Sequence, residues 1–327
     1  MLLIADTPTA TAGLIAPAAL RRLADGAVPA DIDDAWRRLT GGAPAWSGAF
    51  VAAHEAHAPG RCLLVVDHAS GSQFTALQAA LRDGARLPQD LACLALAGSG
   101  FRGQRGRAWE ALRGNLHLTL LARLDLPAAG VQAPLTVLPA VAAARAIEAA
   151  TQGRVRPGLK WVNDLLLAER KIGGVLSATQ VLGGLVTYAL VGIGINVGHS
   201  PDVPRHASLP PVGSLAGLAG AMAPSLTELT RALLIELDVA VAQLRSGGGA
   251  ELVEAYRHRS LVVGRQVAIW PVGDDPLGAE PLATGRVLAL RPDLGLELEG
   301  QTEPVHTGRL TLLEDAGSVE YGACEDC

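Results

Sequence analysis

The chain is short of positive charge. Its 327 residues carry 27 Lys and Arg against 32 Asp and Glu, a formal net charge of −5. A nucleic-acid binder needs a basic face to displace counterions, so DNA is not expected as a partner. Cysteine is scarce as well, with four in all. Cys62 and Cys93 lie in apolar runs and read as buried thiols, and so low a count suits a reducing cytoplasm. Cys324 and Cys327 form a Cys-x-x-Cys, but two ligands are half a zinc site, so no metal site is expected. The opening, Met1-Leu2-Leu3-Ile4-Ala5-Asp6, lacks a basic segment and turns acidic at once. A secretory leader is therefore not expected, and a cytoplasmic location is. No long apolar run stays unbroken either. Residues 172–201 hold no Asp, Glu, Lys or Arg, but Ser177, Thr179, Gln180 and Thr187 interrupt them. Gly183-Gly184 divides that run into two β-rich halves, which predicts a hairpin of buried strands and no membrane span.

What is present suits a packed α+β protein: 49% of residues are hydrophobic and 18% charged. The length predicts two or three domains. Residues 1–60 read as an N-terminal extension with short helices at 17–24 and 32–39. They show no cluster of basic or amide side chains to read a DNA groove. His54-Glu55-Ala56-His57 spaces its histidines three apart, not the four of a metalloprotease helix, and reads as a solvated face. A strand is predicted at 61–67 and a helix at 73–82. Ser70 and Ser72 in the turn between them suit either capping that helix or donating hydrogen bonds to a ligand at its N-terminus. A strand at 91–97 leads to Gly98-Ser99-Gly100-Phe101-Arg102-Gly103. These residues spell a dinucleotide fingerprint, but no helix follows them, so that reading is rejected.

The loop after it organises the chain. Arg102, Arg105, Arg107 and Arg113 fall within twelve positions of one another, with glycines between them. Glycine lets backbone approach a ligand closely, and arginine offers a planar fork of donors for phosphate or carboxylate. A strand at 115–120 would support the loop. Further on come a helix at 134–150 and a strand at 158–167 carrying Lys160 and Asn163-Asp164. Strands at 171–176 and 191–197 follow. A lysine in an apolar strand is costly to bury without an anionic partner, so Lys160 is the leading charged candidate. Alternating Gly192 and Gly194 admit a close neighbour, and Asn196 is placed to orient a phosphate or ribose. Ser225-Leu226-Thr227-Glu228 is a capping box for a helix reaching 244, with another at 250–258. From 260 to 314, short strands with turn signals predict a small β-barrel, ahead of an acidic tail at 315–327.

The sequence resembles the biotin–protein ligase family. The resemblance rests on Arg102-Gly103-Gln104-Arg105-Gly106-Arg107-Ala108-Trp109, on Gly114-Asn115-Leu116, and on Lys160-Trp161-Val162-Asn163-Asp164. Lys171-Ile172-Gly173-Gly174 and Gly192-Ile193-Gly194-Ile195-Asn196 complete it, in the family's order. It implies a catalytic domain at 61–259, a mixed β-sheet flanked by helices, followed by an SH3-like barrel at 260–314. It implies ATP-dependent ligation of biotin to a lysine of a carboxylase's biotin carboxyl carrier domain, through a biotinyl-adenylate, with Mg2+. A homodimer is compatible with it. By motif match, Lys160 and Arg102 would be catalytic. Ser70, Gly71, Ser72, Arg102, Gly103, Gln104 and Lys160 would hold biotin. Arg105, Arg107, Trp109, Asn163, Lys171 and Asn196 would line the nucleotide. The sequence departs from the family pattern at Ala69-Ser70-Gly71-Ser72, at Gly98 where a glutamine is expected, at Gln104, and at Gly308-Arg309. Two alternatives stay open: a lipoate or octanoate ligase or transferase of the same fold, and a non-catalytic acyl or biotin binder.

Overall fold

In a computed structural model, the residues described are 62–313 apart from 86, 88–89, 204–209 and 272–279, together with 2–5, 21–22, 37 and 50–51. The expectations for His54 to His57, for most of the first 60 residues, and for the tail with Cys324 and Cys327 lie outside them.

An eight-stranded mixed sheet forms the body. Its strands are β1 (Leu2–Ala5), β4 (Cys62–Val66), β5 (Asp90–Ala95), β6 (Leu116–Pro127), β7 (Gly158–Lys160), β8 (Asp164–Leu167), β9 (Arg170–Leu182) and β10 (Leu185–Ile195). They lie in the order β1-β4-β5-β6-β10-β9-β8-β7. β1 and β4 pair in parallel, as do β4 and β5, and the remaining pairs are antiparallel. The N-terminal extension therefore supplies the edge strand of the main sheet. The expected helix over 17–24 contains instead the two-residue strand β2 (Arg21–Arg22), paired with β3 (Phe50–Val51).

Alternation along the strands sorts the side chains to two faces. Leu118, Leu120, Val175, Val191, Ile193 and Ile195 face α2 (Gln132–Ala150), α4 (Leu226–Arg245) and α5 (Gly249–Arg257) in the larger core. α2 is long and apolar enough to cross a membrane by length and composition alone, but it lies buried against the sheet and two helices. Its buried alanines, 140, 142, 143, 144 and 146, let neighbours close on it from all sides. Truncating Leu138 there would cost about 2–5 kcal/mol. The opposite face carries Cys62, Leu64, Val66, Cys93 and Leu121 under α1 (Gln73–Arg82). Both cysteines are buried. α1 covers only part of this face, and among the described residues no helix covers the stretch of β6, β10 and β9 beyond it.

Three local predictions hold closely. The uncharged run folds as the β9–β10 hairpin, turning at Gly183 and Gly184, both at positive φ, although its end at Val181, Leu182 and Leu185 is exposed and not buried as expected. α1 spans 73–82. The capping box of α4 is complete, with Ser225 Oγ accepting from the Glu228 N–H and Glu228 accepting from the Ser225 N–H. Besides the helix expected over 17–24, a second prediction fails. Residues 158–167 are not a single strand. The chain turns at 161–163, so that β7 and β8 pair antiparallel with Lys160 opposite Asp164. The Trp161–Val162 peptide in that turn is cis.

After α5 come β11 (Gln266–Trp270), β12 (Ala283–Leu290), β13 (Leu296–Leu298) and β14 (Arg309–Leu312). They form a four-stranded antiparallel sheet in the order β13-β12-β11-β14. It is joined to the body by Trp161 Nε1 donating to the Leu294 carbonyl at 2.8 Å, and by Leu159 bonding both sides of Ser260.

Candidate active site

The uncovered face of β6, β10 and β9 is the floor of a cavity of about 840 Å3. His117 and Thr119 of β6 lie opposite Gly194 and Gly192 of β10, which lie opposite Gly174 and Leu176 of β9. The two β10 glycines prove to serve aromatic rings. A Cβ on Gly194 would sit 2.5 Å from the Trp109 indole, and one on Gly192 would meet the Phe74 ring at 3.1 Å. From residue 192 to Asn196 the track runs about 13 Å along the strand. Phe74 stands at one end, Trp109 in the middle and Asn196 at the other.

The glycine-arginine loop closes one side. No helix of more than one turn follows the Gly98–Gly103 pattern; Gln104–Gly106 is a single 3-10 turn, and Arg105 takes φ 61° within it. Arg102 and Arg107 donate back to the loop's own carbonyls at Gly106 and Gln104, at 3.2 and 3.3 Å, so the loop holds its own shape. Arg102, Gly103, Gln104, Arg107 and Trp109 all line the cavity. Arg105 does not. Its Nη2 donates to the Gly308 carbonyl of the terminal sheet at 3.2 Å. Burial and the neighbouring Arg107 lower its pKa from the usual guanidinium value.

Lys160 is the main surprise. It is 5% exposed, as expected of a cation held by an anion, yet it does not line the cavity. Its ammonium lies 3.6 Å from Asp164, which is as deeply buried. Asp164 also takes Lys171 Nζ at 2.5 Å, and Lys171 does line the cavity. The turn at 161–163 explains the change: it folds Lys160 back across from Asp164, and β9 brings Lys171 to the front. Burial lowers the Lys160 pKa, with Asp164 opposing and Lys171 and Arg107 adding to the fall. For Asp164, burial pushes upward, but Lys171 and Lys160 outweigh it and hold the carboxyl below its usual value.

Asn163, beside Gly174, and Asn196, at the far end, both line the cavity. Asn163 Nδ2 donates to the Val175 carbonyl at 3.3 Å. Asn196 is 1% exposed; its Nδ2 donates to the Gly213 carbonyl, while its Oδ1 is buried with no hydrogen-bond partner. Asn115 of the Gly-Asn-Leu motif plays a structural part. Its Oδ1 accepts from the N–H groups of Val197, Gly198 and His199, clasping the chain as it leaves β10.

At the near end, Ser72 lines the cavity but Ser70 and Gly71 do not; Ser70 is exposed. Ser72 is the N-cap residue of α1, but its side chain makes no capping bond. Sequence reasoning passed over Gln73, Phe74, Phe101, His117 and Arg170, all of which line the cavity. A signal existed for one of them: His117 alternates with Thr119, which also lines the cavity, on one face of β6, the parity shared with the strand glycines.

Comparison with known proteins agrees with this architecture. The model of the biotin/lipoate A/B protein ligase family matches residues 75–196. The biotin–[acetyl-CoA-carboxylase] ligase of Mycobacterium tuberculosis is 30% identical over 214 residues, covering 63% of this chain and 73% of that one. The bifunctional ligase/repressor BirA of Bacillus spizizenii is 33% identical over 144 residues, but the chain spans only 42% of its length. A solved biotin protein ligase from Aquifex aeolicus, in complex with biotin and ATP, shares the fold with TM-score 0.60 at 21% identity, covering 77% of this chain and 99% of that one. The chain belongs to the biotin–protein ligase family.

Proposed function

We propose that the chain joins biotin to ATP as biotinyl-adenylate and then passes the biotinyl group to a lysine of a carboxylase's carrier domain. Ligase chemistry follows from the family. The observation that carries the finer reading is the make-up of one continuous cavity: rings at Phe74 and Phe101, cations with Asn163 beside Gly174 near its middle, and Asn196 at the end of β10. That order suits an apolar acyl ring, an acid meeting a triphosphate, and a nucleoside.

In the first step a carboxylate oxygen attacks the α-phosphorus, the bond from that phosphorus to the pyrophosphate oxygen breaks, and pyrophosphate leaves. Two anions must approach each other, so fixed positive charge lowers the barrier. Lys171, Arg102 and Arg107 are assigned to that task. Lys160 acts from behind Asp164, a step removed from the reacting atoms. Asp164 holds Lys171 in place without neutralising the whole group, because the carboxylate is shared between two lysines. In the second step the carrier's lysine nitrogen attacks the acyl carbon, the acyl–oxygen bond breaks, and AMP departs with that oxygen. The loop at 102–107 shields the mixed anhydride from water. Mg2+ is expected from the resemblance. Among the described residues no three His, Cys, Asp or Glu come together to hold a metal, and Asp164 is engaged by lysines. The ion would enter with the phosphates, where it offsets their charge.

The domain limits at 61–259 and 260–314, an SH3-like character for the terminal sheet, and a cytoplasmic setting belong to the same proposal. Incubating the chain with ATP and a carrier domain, and weighing the carrier by mass spectrometry, tests it. Biotin should add a biotinyl mass. A gain from lipoate or octanoate only would move the assignment to those acids, and no gain from any acid would favour a non-catalytic binder.

A further inference from the structure

The aromatic end of the cavity contains a polar group that nothing around it uses. Gln73, the first residue of α1, lines the cavity and is 1% exposed. Its Nε2 is buried without a hydrogen-bond partner. A buried amide donor left unpaired costs stability, and such groups are uncommon in folded proteins unless they serve a ligand. Phe101 is 8% exposed and packs edge-on to His117, with ring centroids 5.8 Å apart. A Cβ on Gly98 would lie 2.4 Å from the Phe101 ring, so residue 98 stays bare to make room for it. Phe74 follows Gln73 and leans over Gly192. A cavity lined by Gln73 together with Phe74, Phe101 and His117 has the make-up of a selective pocket: apolar walls for bulk, and a placed polar group for identity.

We propose that Gln73 is a specificity-determining residue, whose side-chain amide donates to a carbonyl oxygen on the ring of the acyl substrate. This rests on the ligase reading and narrows it. The ureido ring of biotin carries such a carbonyl acceptor at the end remote from its carboxylate. The dithiolane of lipoate has only weakly accepting sulfur there, and octanoate ends in a methyl group. A site built to donate a hydrogen bond discriminates strongly against a ligand that leaves the donor buried and unpaired.

The test is titration calorimetry on the full chain with biotin, octanoate and the imino analogue of biotin. In that analogue the ureido C=O is replaced by C=N–H, which is protonated at neutral pH and can only donate. The wild-type chain should bind biotin at least about tenfold tighter than the imino analogue. Gln73→Met should lose about tenfold or more in biotin affinity and lose the preference, with octanoate affinity unchanged. Gln73→Glu, which presents an acceptor, should reverse the preference toward the imino analogue. Wild-type binding of biotin and its imino analogue alike would overturn the proposal without recourse to any variant. So would a Gln73→Met protein that keeps wild-type biotin affinity, or one that loses biotin and octanoate equally. A wild-type chain that prefers octanoate to biotin would overturn the biotin reading itself, and this proposal with it.

Discussion

Trp109 donates its indole N–H to Nδ1 of His117 at 3.3 Å, while His117 Nε2 lies 3.1 Å from the Leu112 carbonyl. Nδ1 must therefore be bare and Nε2 protonated, which is the neutral imidazole in one tautomer. Burial lowers the His117 pKa below its usual value, with the Leu112 carbonyl only partly opposing it. A ring fixed in this way fixes the indole that forms the middle of the cavity.

The pH dependence follows in sign. The unfolded chain binds a proton near the ordinary imidazole value of about 6.5, while folded His117 resists until lower pH. The His117 contribution is intact above that ordinary value and is lost as pH falls toward the depressed folded one. Urea denaturation between pH 5 and 8 should show wild-type stability falling more steeply on the acid side than that of His117→Gln. Equal slopes would contradict the neutral, pinned ring.

Gly194 and Gly174 face each other across β10 and β9 and should respond differently to a methyl group. At Gly194 it would overlap the Trp109 ring, while at Gly174 it would make ordinary contact with Lys171 Cε at 3.5 Å. Gly194→Ala should displace the indole, cost about 1–3 kcal/mol and weaken ATP binding. Gly174→Ala should stay within about 1 kcal/mol of wild type. Tryptophan fluorescence and denaturation measure both.

Among the described residues, Asp164 is the carboxylate that pairs with both Lys160 and Lys171. Asp164→Asn would leave a buried ammonium at 160 without its anion and should cost about 3–5 kcal/mol. Adding Lys160→Met should recover a large part of that loss, because the uncompensated charge is gone. A double mutant no more stable than the single one in urea would show that the pair is not coupled.

Arg105 ties the loop to the terminal sheet through Gly308. Arg105→Gln should change global stability by less than about 1 kcal/mol, since the side chain is exposed. Limited proteolysis should cut the 102–107 loop faster in this variant, and bound acyl-adenylate should slow cleavage in the wild type. An unchanged cleavage rate in both comparisons would separate the loop from closure.

Local features were legible in the sequence because their causes are local. The Ser225/Glu228 capping box, the Gly183-Gly184 turn and α1 each depend on residues a few positions apart. The turn at 161–163 was not legible, because Leu159 and Leu165 to Leu167 read as one apolar run. The place of Lys160 was hidden for the same reason. It depends on the register of β7 against β8, and on Lys171 arriving from β9. The parallel pairing of β1 with β4 joins segments some sixty residues apart, and neither segment announces its partner. Gln73 was overlooked because a glutamine opening a helix is ordinary; only its burial at the cavity with an unpaired amide nitrogen gives it meaning.

The most direct test follows an oxygen atom. Biotin labelled with oxygen-18 in its carboxylate is given to the chain with ATP and a carrier domain, and the AMP is weighed. An adenylate route leaves one labelled oxygen in each AMP, with pyrophosphate unlabelled, and Lys171→Ala should slow its appearance by at least about a hundredfold. AMP free of label, or a Lys171→Ala chain that turns over at the wild-type rate, would contradict the account.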